Sequence, residues 1–348
     1  MKNIPVFDGH NDSILEVFTE KRNFFVKNEE GHIDLPRAKE GSMKAGFFAI
    51  WIPPENLEER TPRYGLKTFK NGWEVEYAKP LNFEYAKKFT NDLLELSYSL
   101  AKSKEIKMVK KIEDLDECFQ KELLGMILHF EGAEAIDENL SNLEYYYEKG
   151  LRSLGFVWSR SNVFGYGVPF KFPSSGDIGP GLTLAGKKLV SKCNEMGIII
   201  DLAHINEKGF WDVAKLSKAP LIVSHGNVHA LCPCSRNLTD RQIDAVASSG
   251  GIIGINFSIL FLRKDGELIA DTPLKLILDH IDYIVKRVGV DHVGFGSDFD
   301  GTQVPNDLKS VADMPKLLED LKNNGYKHED IEKIAYKNWR RVIKDSWK

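Results

Sequence analysis

Residues 197–204 read Gly-Ile-Ile-Ile-Asp-Leu-Ala-His, an apolar run that ends in a carboxylate and an imidazole. A helical pattern precedes this run at Leu182–Met196, and another follows it at Glu207–Leu216. Because the run is continuously apolar rather than alternating, it is typical of a parallel strand whose outer side is covered. Helix, strand and helix in this order predict one unit of an α/β fold.

Similar apolar runs recur along the whole chain, each followed by a loop and a helical pattern. The predicted strands are Pro5–Phe7, Ala45–Ile52, Gly125–Phe130, Ser153–Val157, Gly197–Leu202, Pro220–Val223, Gly251–Phe257 and His292–Gly296. The other predicted helices are Phe83–Lys102, Asp240–Ser248, Pro273–Val288 and two closing helices near Asp307–Asn323 and Glu329–Lys344. Eight strands alternating with helices predict a (β/α)₈ barrel of the TIM type. An open doubly wound sheet is disfavoured, because no Gly-rich phosphate loop follows the first strand.

The chain reads as a single domain spanning residues 1–348, with no linker or internal repeat to mark a second one. Two long loops interrupt the alternation: Pro53–Asn82 after the second strand and Gly165–Pro180 after the fourth. Both leave the strand ends where barrel enzymes keep their active sites. The larger insertion is expected to form part of a substrate lid or a subunit contact.

Composition excludes several classes of partner. The 348 residues carry a formal net charge of −4, which gives no electrostatic reason to expect nucleic acid or an anionic membrane. No stretch approaches the roughly 20 apolar residues that span a bilayer. The N-terminal residues leave no room for a signal-peptide core, so we expect a cytoplasmic protein. The four cysteines are expected to remain thiols there.

Side chains of the kind that bind metal ions stand at the ends of five predicted strands. They are His10 and Asp12, Glu131, His204, His225, and Asp298. Taken singly each signal is weak, since a lone histidine or carboxylate at a strand end is often structural. A barrel, however, brings all its strand ends to one mouth. So much charge in one cleft would be costly without divalent cations to compensate it.

The ligand set predicts two metal ions. Imidazole and carboxylate without thiolate suit zinc, with manganese, cobalt or iron as alternatives. His10 and Asp12 would hold one ion, His204 and His225 the other, and Glu131 would bridge them. Two ions roughly 3.5–4 Å apart can trap a shared hydroxide that attacks a polarised carbonyl. Asp298 is left over and is placed to act as general base and acid.

Two further polar residues are candidates for binding substrate. Arg236, in the loop after strand six, would clamp a substrate carboxylate with two parallel hydrogen bonds, or else form an ordinary surface ion pair. Asn256, at the end of strand seven, either binds substrate or is a structural hydrogen-bonding residue.

The residues resemble the membrane (renal) dipeptidase family, the zinc dipeptidases of the amidohydrolase-like barrel group. Four stretches carry the resemblance, and their order and spacing match along nearly the whole chain. They are Asp8-Gly9-His10-Asn11-Asp12, His129-Phe130-Glu131-Gly132, Ser224-His225 through Arg236-Asn237-Leu238-Thr239-Asp240, and Gly296-Ser297-Asp298-Phe299-Asp300-Gly301. The resemblance implies two zinc ions on the five ligands named above, with Glu131 bridging. It also implies acid/base catalysis by Asp298, a substrate contact from Arg236, a dipeptide substrate that often carries a C-terminal D-residue, and a homodimer.

One position departs from the family pattern. Animal members present a histidine after strand four that contacts the substrate, and Trp158 aligns with it here. Tryptophan accepts no proton and offers a single N–H donor, so transition-state stabilisation would fall more heavily on the metals. Trp158 is therefore a third candidate for substrate binding. Two other functions stay open: metal-assisted hydrolysis of a lactone, cyclic amide or phosphoester, and a non-catalytic barrel.

Overall fold

The computed structural model describes residues 4–56 and 65–348. Within that part of the chain, eight parallel strands form a barrel. They are β1 (Val6–Asn11), β2 (Met43–Trp51), β6 (Leu124–Glu131), β7 (Leu151–Gly155), β9 (Ile199–Asp201), β10 (Ile222–Gly226), β11 (Ile252–Ile255) and β12 (Val293–Phe295). The strand order is β2-β1-β12-β11-β10-β9-β7-β6, and β6 pairs back to β2, which closes the barrel. All eight predicted strands are present, and the predicted (β/α)₈ barrel is confirmed.

The barrel strands are buried on both faces, as their continuous apolar sequences predict. Every residue of β1 and of β6 is buried. One short additional strand, β5 (Ile106–Met108), pairs in parallel with the beginning of β6.

Helices cover the outside of the barrel. They are α1 (Ser13–Thr19), α2 (Leu35–Glu40), α3 (Phe83–Leu100), α4 (Ile112–Gln120), α5 (Leu143–Glu148), α6 (Leu184–Met196), α7 (Glu207–Leu216), α8 (Asp240–Ser248), α9 (Lys275–Val288), α10 (Met314–Asn323), α11 (His328–Glu332) and α12 (Asn338–Ser346), with a π-helical turn at Lys333–Lys337. The helix expected near Asp307–Asn323 begins only at Met314, after a 3₁₀ turn. None of the described helices is long and apolar enough to cross a membrane.

The two insertions meet in a second, smaller sheet. The first contributes the hairpin β3 (Leu66–Phe69) and β4 (Gly72–Val75), and the second contributes β8 (Lys171–Phe172). The three strands pair antiparallel in the order β3-β4-β8. Residues 57–64 of the first insertion lie outside the described residues.

One side chain of the C-terminal helix enters the barrel interior. Trp339 of α12 is fully buried and donates a hydrogen bond from Nε1 to the Phe295 carbonyl oxygen at 2.9 Å. A Cβ added at Gly9 or Gly294 would lie 2.4 or 2.6 Å from the Trp339 ring, so both positions require glycine. The indole therefore fills the barrel interior from one end, which leaves the carboxyl ends of the strands for the functional site.

Candidate metal centre

All six predicted ligand-type residues lie at the carboxyl ends of barrel strands. His10, Glu131 and His225 belong to β1, β6 and β10 themselves. The other three follow directly after β1, β9 and β12, at positions Asp12, His204 and Asp298. Five of the side chains are buried, and Asp298 keeps partial exposure to solvent. The closed sheet thus gathers residues that are up to 288 positions apart in sequence into one site.

Glu131 stands at the middle of this cluster. Its Oε2 lies 3.6 Å from His10 Nε2, which is itself 3.5 Å from Asp12 Oδ2. Its Oε1 lies 2.9 Å from His204 Nε2 and 3.6 Å from His225 Nε2. Each carboxylate oxygen of Glu131 therefore faces a different set of potential metal ligands.

The donor atoms fit divalent cations. His10, Asp12 and Glu131 form one group of converging ligand atoms, and Glu131, His204 and His225 form a second, with all atoms of a group within 4.8 Å of one another. A third group consists of His10, His225 and Asp298. Both His10 Nε2 and Asp12 Oδ1 are buried and have no hydrogen-bond partner among the described residues. Buried polar atoms of this kind need a partner, and a cation coordinated by nitrogen and oxygen would provide it.

Two serines bind the Nδ1 atoms of the histidines. Ser224 Oγ donates to Asp201 Oδ2 at 2.5 Å, so its oxygen is left to accept a hydrogen bond from His225 Nδ1–H at 2.8 Å. With a proton on Nδ1, the His225 ring keeps its Nε2 lone pair for the centre. Ser159 Oγ lies 2.8 Å from His204 Nδ1 and leaves Nε2 of that ring facing the centre as well. Such hydrogen bonds orient the ring and raise its basicity as a ligand.

The electrostatics of the cluster favour added positive charge. Burial alone would lower the pKa of His10, but the carboxylates of Glu131, Asp12 and Asp298 raise it to about 10. Burial, together with the charges of Asp12 and Asp298, raises the pKa of Glu131 well above its usual value. In the metal-free protein a proton on His10 thus supplies charge that a divalent cation would supply instead.

Asp298 is held in a defined orientation. It has a φ of 62°, in the left-handed region, and its N–H donates to the His10 carbonyl oxygen at 3.0 Å. Asn256 Nδ2 donates to Asp298 Oδ2 at 2.8 Å, while Asn256 Oδ1 accepts from the Ser258 N–H. Burial and the nearby Asp12 raise the pKa of Asp298 to about 6, against the lowering effect of His10. The structure therefore places Asn256 against Asp298, where it orients the carboxylate.

Arg236 lies beside the cluster rather than at the surface. Its side chain is buried, and Nη2 donates to the His225 carbonyl oxygen at 3.1 Å. Its Nε has no partner among the described residues, and the guanidinium lies 5.5 Å from the Phe261 ring. A buried cation with an unused donor next to a metal cluster is suited to binding a carboxylate.

Trp158 lies next to His204, with ring centroids 5.9 Å apart. It also contacts Phe170, at a centroid distance of 5.5 Å, and both aromatic side chains are partly exposed. Phe170 belongs to the second insertion, and no ligand-type pattern in the sequence marked it as part of the site. Hydrogen bonds on either side of it, from Val168 N–H to the His204 carbonyl oxygen and from Lys171 N–H to Ser235 Oγ, hold it beside the centre.

The sequence pattern assigns no role to several buried polar residues that surround the centre. Asp8 accepts two hydrogen bonds from Ser297, from the backbone N–H and from Oγ, both at 2.8 Å. These bonds tie the end of β1 to the segment that carries Asp298. His129 Nδ1 lies 3.0 Å from Ser153 Oγ, and its Nε2 lies 3.5 Å from Asp201. These supporting residues are identified by their contacts across neighbouring strands, which the spacing of residues along the chain does not reveal.

A closed parallel barrel with converging imidazoles and carboxylates at its strand ends is typical of a metal-dependent hydrolase. The family model of membrane dipeptidase (peptidase family M19) matches residues 1–347. The chain therefore belongs to the membrane dipeptidase family and is a metallo-dipeptidase.

Two solved structures and one curated relative are similar to the chain and are named as peptidases or dipeptidases. The chain is 40% identical to a metallo peptidase from Rhodobacter sphaeroides liganded with a phosphinate mimic of the dipeptide L-Ala-D-Ala, with a TM-score of 0.92 and 99% of each chain covered. It is also 40% identical to dipeptidase AC, a metallo peptidase of family M19, with a TM-score of 0.91 and the same coverage. A dipeptidase of Claviceps purpurea, tcpJ, is 28% identical over 97% of this chain and 76% of its own length.

Proposed function

We propose that residues 1–348 act as one domain that is a binuclear zinc dipeptidase. His10 and Asp12 would hold one ion, His204 and His225 the other, and Glu131 would bridge the two. The observation that carries this proposal is the placement of Glu131, whose two carboxylate oxygens face separate ligand groups. When bound, the ions would activate a water molecule and polarise the scissile carbonyl.

The remaining chemistry falls to the protein. Asp298 takes a proton from the attacking water and returns one to the leaving amine, because its carboxylate lies among the ligand atoms of His10 and His225 and keeps partial exposure to solvent. Asn256 orients that carboxylate by its hydrogen bond at 2.8 Å. A positioned acid/base group of this kind contributes about 10²–10⁴-fold to a rate.

Arg236 would bind the free carboxylate of the substrate. It is buried, and its unused Nε–H lies beside the centre. Trp158 would pack against the substrate next to His204. The phosphinate mimic of L-Ala-D-Ala in the Rhodobacter sphaeroides relative supports a dipeptide substrate and tolerance of a D-residue at the C-terminal position. The homodimer and the cytoplasmic location stay predictions.

The proposal is tested by hydrolysis of a small dipeptide panel with L- and D-residues at the C-terminal position. Zinc-loaded protein should cleave members of the panel and lose this activity on chelation, and a His225→Ala variant should be inactive. If protein verified to hold two ions cleaves no dipeptide but hydrolyses a lactone, a cyclic amide or a phosphoester, the dipeptidase assignment is wrong.

A further inference from the structure

Three aromatic side chains in contact lie between Arg236 and the metal centre; two of them, Trp158 and Phe170, are partly exposed, and the third, Phe261, is buried. The Arg236 guanidinium lies 5.5 Å from the Phe261 ring, which stacks on Phe170 with centroids 6.0 Å apart and planes inclined by 25°. Phe170 in turn stands edge-on to Trp158 at 5.5 Å and to the His204 ring at 5.8 Å. We call Phe261, Phe170 and Trp158 the aromatic wall.

Phe170 contacts both ends of the aromatic wall. It stacks on Phe261, which lies beside the cation suited to a carboxylate, and it stands edge-on to His204, a histidine of the ligand cluster. In a dipeptide, the C-terminal residue lies between the scissile carbonyl and the free carboxylate. Resting on the function proposed above, this places the C-terminal residue along the aromatic wall, with Phe170 at its middle.

We propose that Phe170 is a specificity-determining residue, which sets the size and the configuration of the C-terminal side chain that the site accepts. Two of the four substituents on that residue's α-carbon, the amide nitrogen and the carboxylate, are fixed by the metal centre and by Arg236. The side chain and the hydrogen atom then occupy the two remaining directions, and they exchange places between the L- and D-forms. Only one of these directions can face the aromatic wall, so Phe170 acts on the two configurations unequally.

The small sheet holds Phe170 in place. Val75 N–H, at the end of β4, donates to the Phe170 carbonyl oxygen at 2.8 Å. Trp73 of the same strand stacks on Phe172, with centroids 6.4 Å apart, and donates from Nε1 to the Gly266 carbonyl oxygen at 2.9 Å. The hairpin of the first insertion thus supports both Phe170 and the loop that follows Phe261. This assigns the described part of that insertion to the rim of the substrate site.

The test compares kcat/KM for L-Ala-Gly with values for L-Ala dipeptides that end in L- or D-Leu and L- or D-Phe. In Phe170→Ala, we expect the ratio of the bulky substrate to L-Ala-Gly to rise about 10-fold or more for one configuration only, the range that pocket volume commonly supplies. Phe170→Trp should move the same ratio in the opposite direction. Inhibition constants for phosphinate analogues of the same dipeptides should change in parallel, which reports binding separately from turnover.

Phe69→Ala is the matched control, because Phe69 lies on the same small sheet with its side chain 57% exposed. This control should leave every ratio unchanged. If the parent protein is active and both Phe170 variants change kcat/KM by the same factor for every dipeptide of the panel, Phe170 does not determine specificity. That result would leave the proposed function standing. A parent protein that cleaves no member of the panel would instead overturn the proposed function.

Discussion

Asp298 combines an unusual backbone conformation with a carboxylate aimed at the ligand cluster. A positive φ in a non-glycine residue costs about 1–3 kcal/mol and persists only where the surroundings enforce it. Here the hydrogen bond to the His10 carbonyl oxygen and the amide of Asn256 do so. His204, a proposed metal ligand, is also left-handed, with a φ of 64°. Of the six described residues other than glycine with a positive φ, these two are ones that the proposed reaction uses.

Asp298→Asn should lower kcat by about 10²-fold or more while the protein keeps both metal ions, because an amide cannot carry the proton. Rate and metal content are measured on the same preparation. Asp307→Asn, an exposed carboxylate in the loop after the same strand, serves as the control and should behave as the parent. Loss of metal from the Asp298 variant would instead make this residue a ligand, as its grouping with His10 and His225 also allows.

Ser224 links Asp201 to His225, and Ser224→Ala should weaken metal binding. The variant removes the oxygen that accepts from His225 Nδ1–H at 2.8 Å, so the ring loses its tautomeric preference. Loss of such a support commonly costs about 10–100-fold in metal affinity. Zinc affinity is measured by competition with a chromophoric chelator. Ser97→Ala removes an equally buried hydroxyl within α3 and should leave the affinity unchanged; an equal loss in both variants would contradict the relay.

At the scale of elements, the barrel was predictable and the small sheet was not. Each barrel strand is a local apolar run, so its sequence alone identifies it. Strand β8 has only two residues, and its partner Trp73 is 99 positions away from Phe172. Such pairing depends on the barrel bringing the two insertions together, which no local pattern encodes. Phe170 escaped prediction for the same reason.

The site, like the fold, was predictable in part: the sequence identified the ligand-type residues but not the residues that support them. Ligand-type residues at strand ends converge in any barrel, so their convergence follows from the fold. Their supports depend on which atoms meet across neighbouring strands, as when Ser224 reaches Asp201. Trp339 is a comparable case, because the glycines that admit its ring lie on strands far from it in sequence.

His280 on α9 joins two of the loops that form the site. Its Nδ1 accepts from the Val228 N–H at 3.0 Å, and its Nε2–H donates to the Leu262 carbonyl oxygen at 3.1 Å. His280→Ala leaves two buried backbone groups unpaired, each costing about 1–3 kcal/mol. We therefore expect a clear loss of unfolding free energy at pH 7.5, measured by urea denaturation of metal-free protein.

This difference should shrink in acid. Burial lowers the pKa of His280 to about 4, so the unfolded chain binds an additional proton between pH 6.5 and 4 and the parent protein loses stability as the pH falls. The gap between the parent and His280→Ala should be smaller by about 2 kcal/mol at pH 5 than at pH 7.5. His328→Ala, with a side chain 67% exposed, is the control. A gap independent of pH would show that His280 titrates normally in the folded protein.

At the scale of the whole molecule, the barrel brings together three carboxylates that the described side chains neutralise incompletely. Asp12, Glu131 and Asp298 all raise the pKa of His10 and share that imidazole as a source of positive charge. By contrast, Glu134 is also buried, but Arg160 Nε donates to it at 2.7 Å. The same fold thus contains a buried carboxylate that an arginine compensates and a cluster for which bound cations are the proposed compensation.

This contrast predicts how metal affects global stability. Ions that bind only the folded state stabilise it by about 4 kcal/mol at 1,000 times their Kd, so zinc should raise the Tm of metal-free protein by about 5 °C or more. In Glu131→Gln, metal content and this increase in Tm should both fall, because the bridging charge is gone. Glu134→Gln should lower Tm to the same extent with and without zinc, since its partner is Arg160. If Glu131→Gln retained two ions and the full increase in Tm, the Glu131 carboxylate would not be needed to bind the ions. The proposed bridge between them would then be wrong.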